Sequence, residues 1–155
     1  MTPKTPGRQP GDAFHHAPGA AFRPHGRTTV RADGAVVHVT AEGPFNHEAV
    51  DLLSVEMVAQ YRRLPPGLRF VNLTEFGGSM VATPEAWEHL ASHLARVNDS
   101  GLPLVATAWI AAADVEGRSL FMPRAEALFR ELGRVFATFA TMAEAEAWAL
   151  EKLKH

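Results

Sequence analysis

Two histidines four residues apart, His89 and His93, are the side chains most plainly able to do chemistry in this chain. At that spacing they share one face of a helix, and His89-Leu90-Ala91-Ser92-His93 has the spacing at which a zincin motif holds one zinc ion. The glutamate that would serve as general base is replaced by Leu90, which belongs to an apolar stripe. The pair is therefore expected on an adjacent, solvated face beside Glu85 and Arg96. Ser79, after Gly77-Gly78, is the second candidate. It lacks the Gly-x-Ser-x-Gly elbow of a serine hydrolase, and no Gly-Lys-Ser/Thr follows to make a phosphate loop. Zero cysteines exclude thiolate metal sites, disulfides and a cysteine nucleophile. The expectation is no catalytic residue, no cofactor and no metal, with His89 and His93 the candidates should a metal bind.

The elements that must position these groups follow from patterning. Residues 1–27 carry five prolines and four glycines with no helical or strand period, and are expected to form a disordered leader. His15, His16 and His25 fall there and do not make a defined metal site. Thr28 to Arg31 and Ala35 to Ala41 read as a hairpin turned by Asp33-Gly34 in a type I′ turn. Asn46 caps a helix from His47 to Arg63, stopped by Pro65-Pro66-Gly67. Leu68 to Thr74 is a buried strand. A loop carrying Gly77 and Gly78 leads to a helix capped by Thr83 with Pro84 at its first position and ended by Gly101. Leu104 to Ile110 is a nearly unbroken apolar run, expected of a central strand covered on both faces. A helical segment from Asp114 to Leu132, broken at Pro123, precedes a strand from Arg134 to Ala140. Thr141 with Glu144 forms a capping box that opens a closing helix with Met142, Ala145, Trp148, Ala149 and Leu153 on its inner side. The order ββαβαβαβα predicts an α/β domain over residues 28–155, with a mixed sheet of about five strands covered by four helical segments.

That order resembles the STAS superfamily, in particular its small stand-alone bacterial members related to anti-anti-sigma factors. Four features carry the resemblance: the hairpin running into Glu42-Gly43-Pro44-Phe45-Asn46; Phe70-Val71-Asn72-Leu73 followed by Phe76-Gly77 and Thr83-Pro84-Glu85-Ala86-Trp87; the Leu104 to Ala108 strand; and Val135-Phe136 followed by Thr141 and Glu144 to Leu150. The resemblance implies a binding or regulatory module. In the regulated members an Asp-Ser pair after the central strand receives a phosphate. Here Asn72 stands in the strand, and the hydroxyls near the corresponding turn are Ser79 and Thr83, neither preceded by Asp. On these terms Ser79 is an exposed loop serine whose replacement by Asp should leave the fold unchanged. Phe45, Asn46, Phe76 and Met80 are the candidate partner or ligand surface.

Net charge is −2, split into +3 on residues 1–27 and −5 on the remainder. An acidic domain is a poor nucleic-acid surface. No run of about 18 apolar residues is present to span a membrane, and no secretory signal opens the chain, so the cytoplasm is the default compartment. Twelve arginines against three lysines suggest a bacterium with a GC-rich genome. The preferred function is a non-enzymatic STAS-like module that binds a protein partner or itself. The alternative is a carrier of a small apolar or lipid-like ligand, held in a pocket between the sheet and the Asp114 to Leu132 segment. A His-based metal-dependent hydrolase ranks third.

Overall fold

The computed structural model describes residues 23–155. The leader assigned to residues 1–27 lies mostly outside the described residues, and its last part is tied to the domain. Asn46 Nδ2 donates to the Arg23 carbonyl at 2.7 Å, and the His25 amide donates to Asn46 Oδ1 at 2.8 Å.

Strand β1 (Arg27–Asp33) pairs antiparallel with β2 (Val36–Glu42), and Asp33 faces Val36 across a two-residue loop. The loop is therefore Gly34-Ala35, with positive φ at Gly34 and not at Ala35. That is the type II′ pattern instead of the expected I′, because the single glycine occupies the first central position. Then follow α1 (His47–Arg63), β3 (Phe70–Gly77), α2 (Pro84–Asp99), β4 (Leu104–Ala111), α3 (Arg118–Glu131), β5 (Phe136–Phe139) and α4 (Met142–Lys154). Among the described residues the protein is α/β, a mixed five-stranded sheet with four helices.

Sheet order equals chain order, β1-β2-β3-β4-β5, and every pair after the hairpin is parallel. Right-handed crossovers that all step in one direction place their helices on one face. Accordingly Met57 and Tyr61 of α1 and Val97 of α2 pack with Val37, Val39 and Phe70, while Phe121 and Phe129 of α3 pack with Trp109. Among the described helices α4, which follows the last strand, alone covers the opposite face, with Ala145 and Ala149 against Val71, Leu73, Ala106, Ala108 and Ile110. β4 is internal but one place from the edge; β3 is the central strand.

Two expectations about α3 change. It begins at Arg118, and Pro123 does not break it. Pro123 is exposed and forfeits one hydrogen bond to the carbonyl of Ser119, within the first two turns, so the apolar stripe Phe121, Met122, Ala125 and Phe129 continues past it. The last strand also shrinks from Arg134–Ala140 to Phe136–Phe139, as suits an edge. Among the described residues no helix is long and apolar enough to cross a membrane.

Candidate functional site

In β3, Phe70, Asn72, Thr74 and Phe76 alternate onto the face beneath the first three helices, while Val71 and Leu73 face α4. Thr107 of β4 is the register partner of Asn72. The middle of an otherwise apolar face is thus polar: Asn72, Thr74 and Thr107 are 4 %, 6 % and 4 % exposed. Above them α2 contributes His93, 3 % exposed, and α1 contributes Ala49, Leu53 and Met57. Small side chains at Ala41, Ala49, Ala82 and Ala86 leave the layers unfilled, and a chamber of about 90 Å³ remains between the sheet, α1 and α2. It lies between the sheet and the helical layer. The fold never reverses strand order among its parallel strands, so it offers no switch-point crevice at the carboxyl ends of the strands, where open α/β sheets usually hold ligands.

Those carboxyl ends are closed by backbone pairing. The Gly43 amide donates to the Ser79 carbonyl at 2.9 Å, Phe45 to Val81 at 2.8 Å, and Thr83 to Phe45 at 3.0 Å. On the other side the Met80 amide donates to Glu116 at 2.8 Å and the Glu116 amide to Gly78 at 2.9 Å. The loop after β3 is therefore stitched on both sides. Phe45 is 8 % exposed and its ring lies where a Cβ at Gly43 or Gly26 would fall, 2.7 and 2.6 Å away. Both glycines make room for the ring at the chamber wall.

The chamber's polar groups are incompletely paired. Asn72 Nδ2 reaches Thr74 Oγ1 only at 3.5 Å, and Asn72 Oδ1 has no partner. His93 Nε2 has none either. Burial, helped by the neighbouring Arg96 charge, lowers the His93 pKa from 6.5 to about 4, so the ring is neutral at physiological pH. Leaving buried hydrogen-bonding groups unpaired costs about 1–3 kcal/mol each. Among the described residues the buried side-chain atoms without a hydrogen-bond partner are Asn72 Oδ1, His93 Nε2, His47 Nδ1 and Glu48 Oε1. They fall at two places, the chamber and the junction of α1 with α2.

Several sequence expectations are corrected. His89 and His93 do not act as a pair: His93 turns into the chamber, while His89, 41 % exposed at its side chain, meets Asp51 and His47 of α1. Ser79 is buried at 6 %, its hydroxyl donating to Glu116 Oε1 at 2.9 Å and accepting from the Val81 amide at 3.0 Å. It is not the exposed hydroxyl expected of a phosphate acceptor, because the stitched loop draws it inward. Thr83 caps α2 as expected, accepting from the Ala86 amide at 3.1 Å. Asn46 caps α1, accepting from Ala49 at 3.1 Å. Of the expected partner or ligand surface, Phe45, Phe76 and Met80 line the chamber, with Phe45 and Met80 buried, so they bound an interior space. The space beside α3, about 440 Å³ between Glu126, Arg130, Arg134 and Phe136, is a groove lined by charged side chains. The apolar pocket expected under that segment lies under α1 and α2 instead, with Phe129 its single lining residue from α3.

Asn72, Thr74 and Thr107 were not legible as site residues, although polar residues at alternate positions of a buried strand are a signal. His47 and Asp51 carried no such signal, since only packing of α1 on α2 brings them to His89. In comparisons with family models, with curated proteins and with solved structures, nothing matches this chain.

Proposed function

We propose that this protein is a non-enzymatic, cytoplasmic binding module of STAS-like architecture whose site is the chamber beneath α1 and α2. The observation that carries this reading is the coincidence of an unfilled apolar space with two unpartnered buried polar atoms, Asn72 Oδ1 and His93 Nε2. A domain selected only for stability would place aliphatic side chains there. The occupant is small. An engineered apolar cavity of about 150 Å³ accepts benzene, so 90 Å³ suits a short chain or compact branched group, and a long acyl chain would need the helices to part. Its head is neutral and carries a donor. Asn72 Oδ1 can only accept, and the neutral His93 ring offers an anion no charge.

The test is NMR titration with short alcohols and primary amides against hydrocarbons of the same size. Alcohols or amides should shift the Asn72 side-chain and His93 resonances at one equivalent, and Asn72→Val should remove their advantage over the hydrocarbon. Equal binding of hydrocarbon and alcohol to both proteins, or binding by neither, would sink the proposal.

A second reading, docking of a protein partner, is favoured by the outer face of α1, where Leu52 and Val55 are 47 % and 68 % exposed one turn apart. Leu52→Glu with Val55→Glu should leave the fold intact and abolish self-association or partner capture. Retention of both by the double variant would exclude that face.

A further inference from the structure

Outside the chamber, at the junction of α1 with α2, three side chains with metal-ligand chemistry meet. His47 opens α1, Asp51 lies one turn further on, and His89 comes from α2. His89 Nδ1 is 2.7 Å from Asp51 Oδ1, and His47 Nδ1 is 3.6 Å from Asp51 Oδ2. The two imidazole centroids are 4.6 Å apart, and one ligand atom from each of the three residues lies within 4.8 Å of the others. Ligand atoms around a tetrahedral zinc, each about 2.0–2.1 Å from the ion, stand roughly 3.3 Å from one another. Small side-chain rotations would therefore close the set.

A separate observation points to the same place. Glu48 has a side chain only 5 % exposed, and its Oε1 lies 3.0 Å from His47 Nε2 but outside the direction of a hydrogen bond. His47 Nδ1, on the other side of the ring, is also buried and makes no hydrogen bond, its approach to Asp51 Oδ2 being 3.6 Å. A buried carboxylate is costly unless something answers its charge. An ion on Nδ1 would fix the proton on Nε2, and a small turn of the ring would aim that N–H at Glu48, completing the carboxylate–histidine–metal relay that supports many metal sites.

We propose that His47, Asp51 and His89 bind one divalent ion of the zinc class, with Glu48 as the positioning residue for His47. Two imidazoles and one carboxylate suit zinc and its neighbours, whereas magnesium and calcium prefer all-oxygen sets. The three side chains are 32 %, 54 % and 41 % exposed, so the ion enters from solvent. Three protein ligands leave one position for water. The ion ties α1 to α2, the two helices that roof the chamber, and His93 lies one turn along α2 from His89.

The test uses the full chain, stripped with chelator and dialysed, then titrated calorimetrically with zinc chloride. One equivalent should bind, and cobalt substitution should give the visible bands of a four-coordinate site. Asp51→Asn and His89→Ala should each weaken binding at least 30-fold, and Glu48→Gln by roughly 10- to 100-fold. Zinc should raise the thermal midpoint of the wild type and not of Asp51→Asn, whose metal-free midpoint serves as the folding control. Because His15 and His16 offer a rival pair, the His15→Ala/His16→Ala variant must retain the site. Loss of binding in that variant, undiminished binding in Asp51→Asn and His89→Ala, or no binding to the wild type would each overturn the proposal.

Discussion

Replacing Asn72 by valine should stabilise the ligand-free protein. The buried, unpartnered Oδ1 costs about 1–3 kcal/mol. The unfilled space adds its own penalty: at about 24 cal/mol per Å³, 90 Å³ corresponds to about 2 kcal/mol. Valine removes the first term and leaves most of the second. It gives up only the 3.5 Å contact of Nδ2 with Thr74, whose hydroxyl can rotate to another partner. It also suits an internal strand. The expected gain is about 1–2 kcal/mol, or roughly 3–8 °C in thermal midpoint for a domain of this size. Asn72→Ala is the control, because it removes the same amide but enlarges the chamber, so it should be less stable than the valine variant. Urea unfolding with an unchanged m-value, together with calorimetry, reads both. If Asn72→Val lost more than about 1 kcal/mol while keeping its m-value, the amide would be paired in the native state. The chamber would then be a packing defect without a binding role.

Three further outcomes are expected. Unfolded His93 takes up its proton near pH 6.5 and folded His93 near pH 4, so between these values the unfolded state binds more protons and stability falls as pH drops. The loss is on the order of 3 kcal/mol over that window, and His93→Leu should remove it, read as the difference in urea midpoint between pH 7.5 and 4.5; parallel pH profiles would show that His93 is not held neutral by burial. Ser79→Asp should cost about 1–3 kcal/mol because it sets a second carboxylate against Glu116 in a buried loop, with partial rescue by Glu116→Gln; an unchanged midpoint would return Ser79 to the surface. Gly43→Ala should cost about 1–3 kcal/mol, since its Cβ would lie 2.7 Å from both the Phe45 ring and the Ser79 carbonyl; chemical-shift changes confined to Gly43 would refute that contact.

The element order, the caps at Asn46, Thr83 and Thr141, and the inner face of α4 were legible in the sequence because each depends on neighbours within a turn or two. A side-chain oxygen three residues before an amide, a proline that cannot donate, and an apolar period of 3.6 act locally. The boundaries of α3 were less legible. Whether Pro123 breaks a helix depends on how many hydrogen bonds precede it and on whether tertiary burial of Phe121 and Phe129 offsets the one lost.

The site was decided by tertiary structure. Nothing within reach of Ser79 along the chain reveals that Gly43 and Glu116 stitch its loop shut. Helical spacing paired His89 with His93, but the rotation of α2 against the sheet sends His93 inward and leaves His89 to Asp51 and His47. The polar residues Asn72, Thr74 and Thr107 were visible one by one. That they share a face under two helices whose alanines leave a space follows from sheet register and from three crossovers packing on one side. Local propensity is written in adjacent residues, whereas a cavity is the volume left over when distant surfaces fail to fill the space between them.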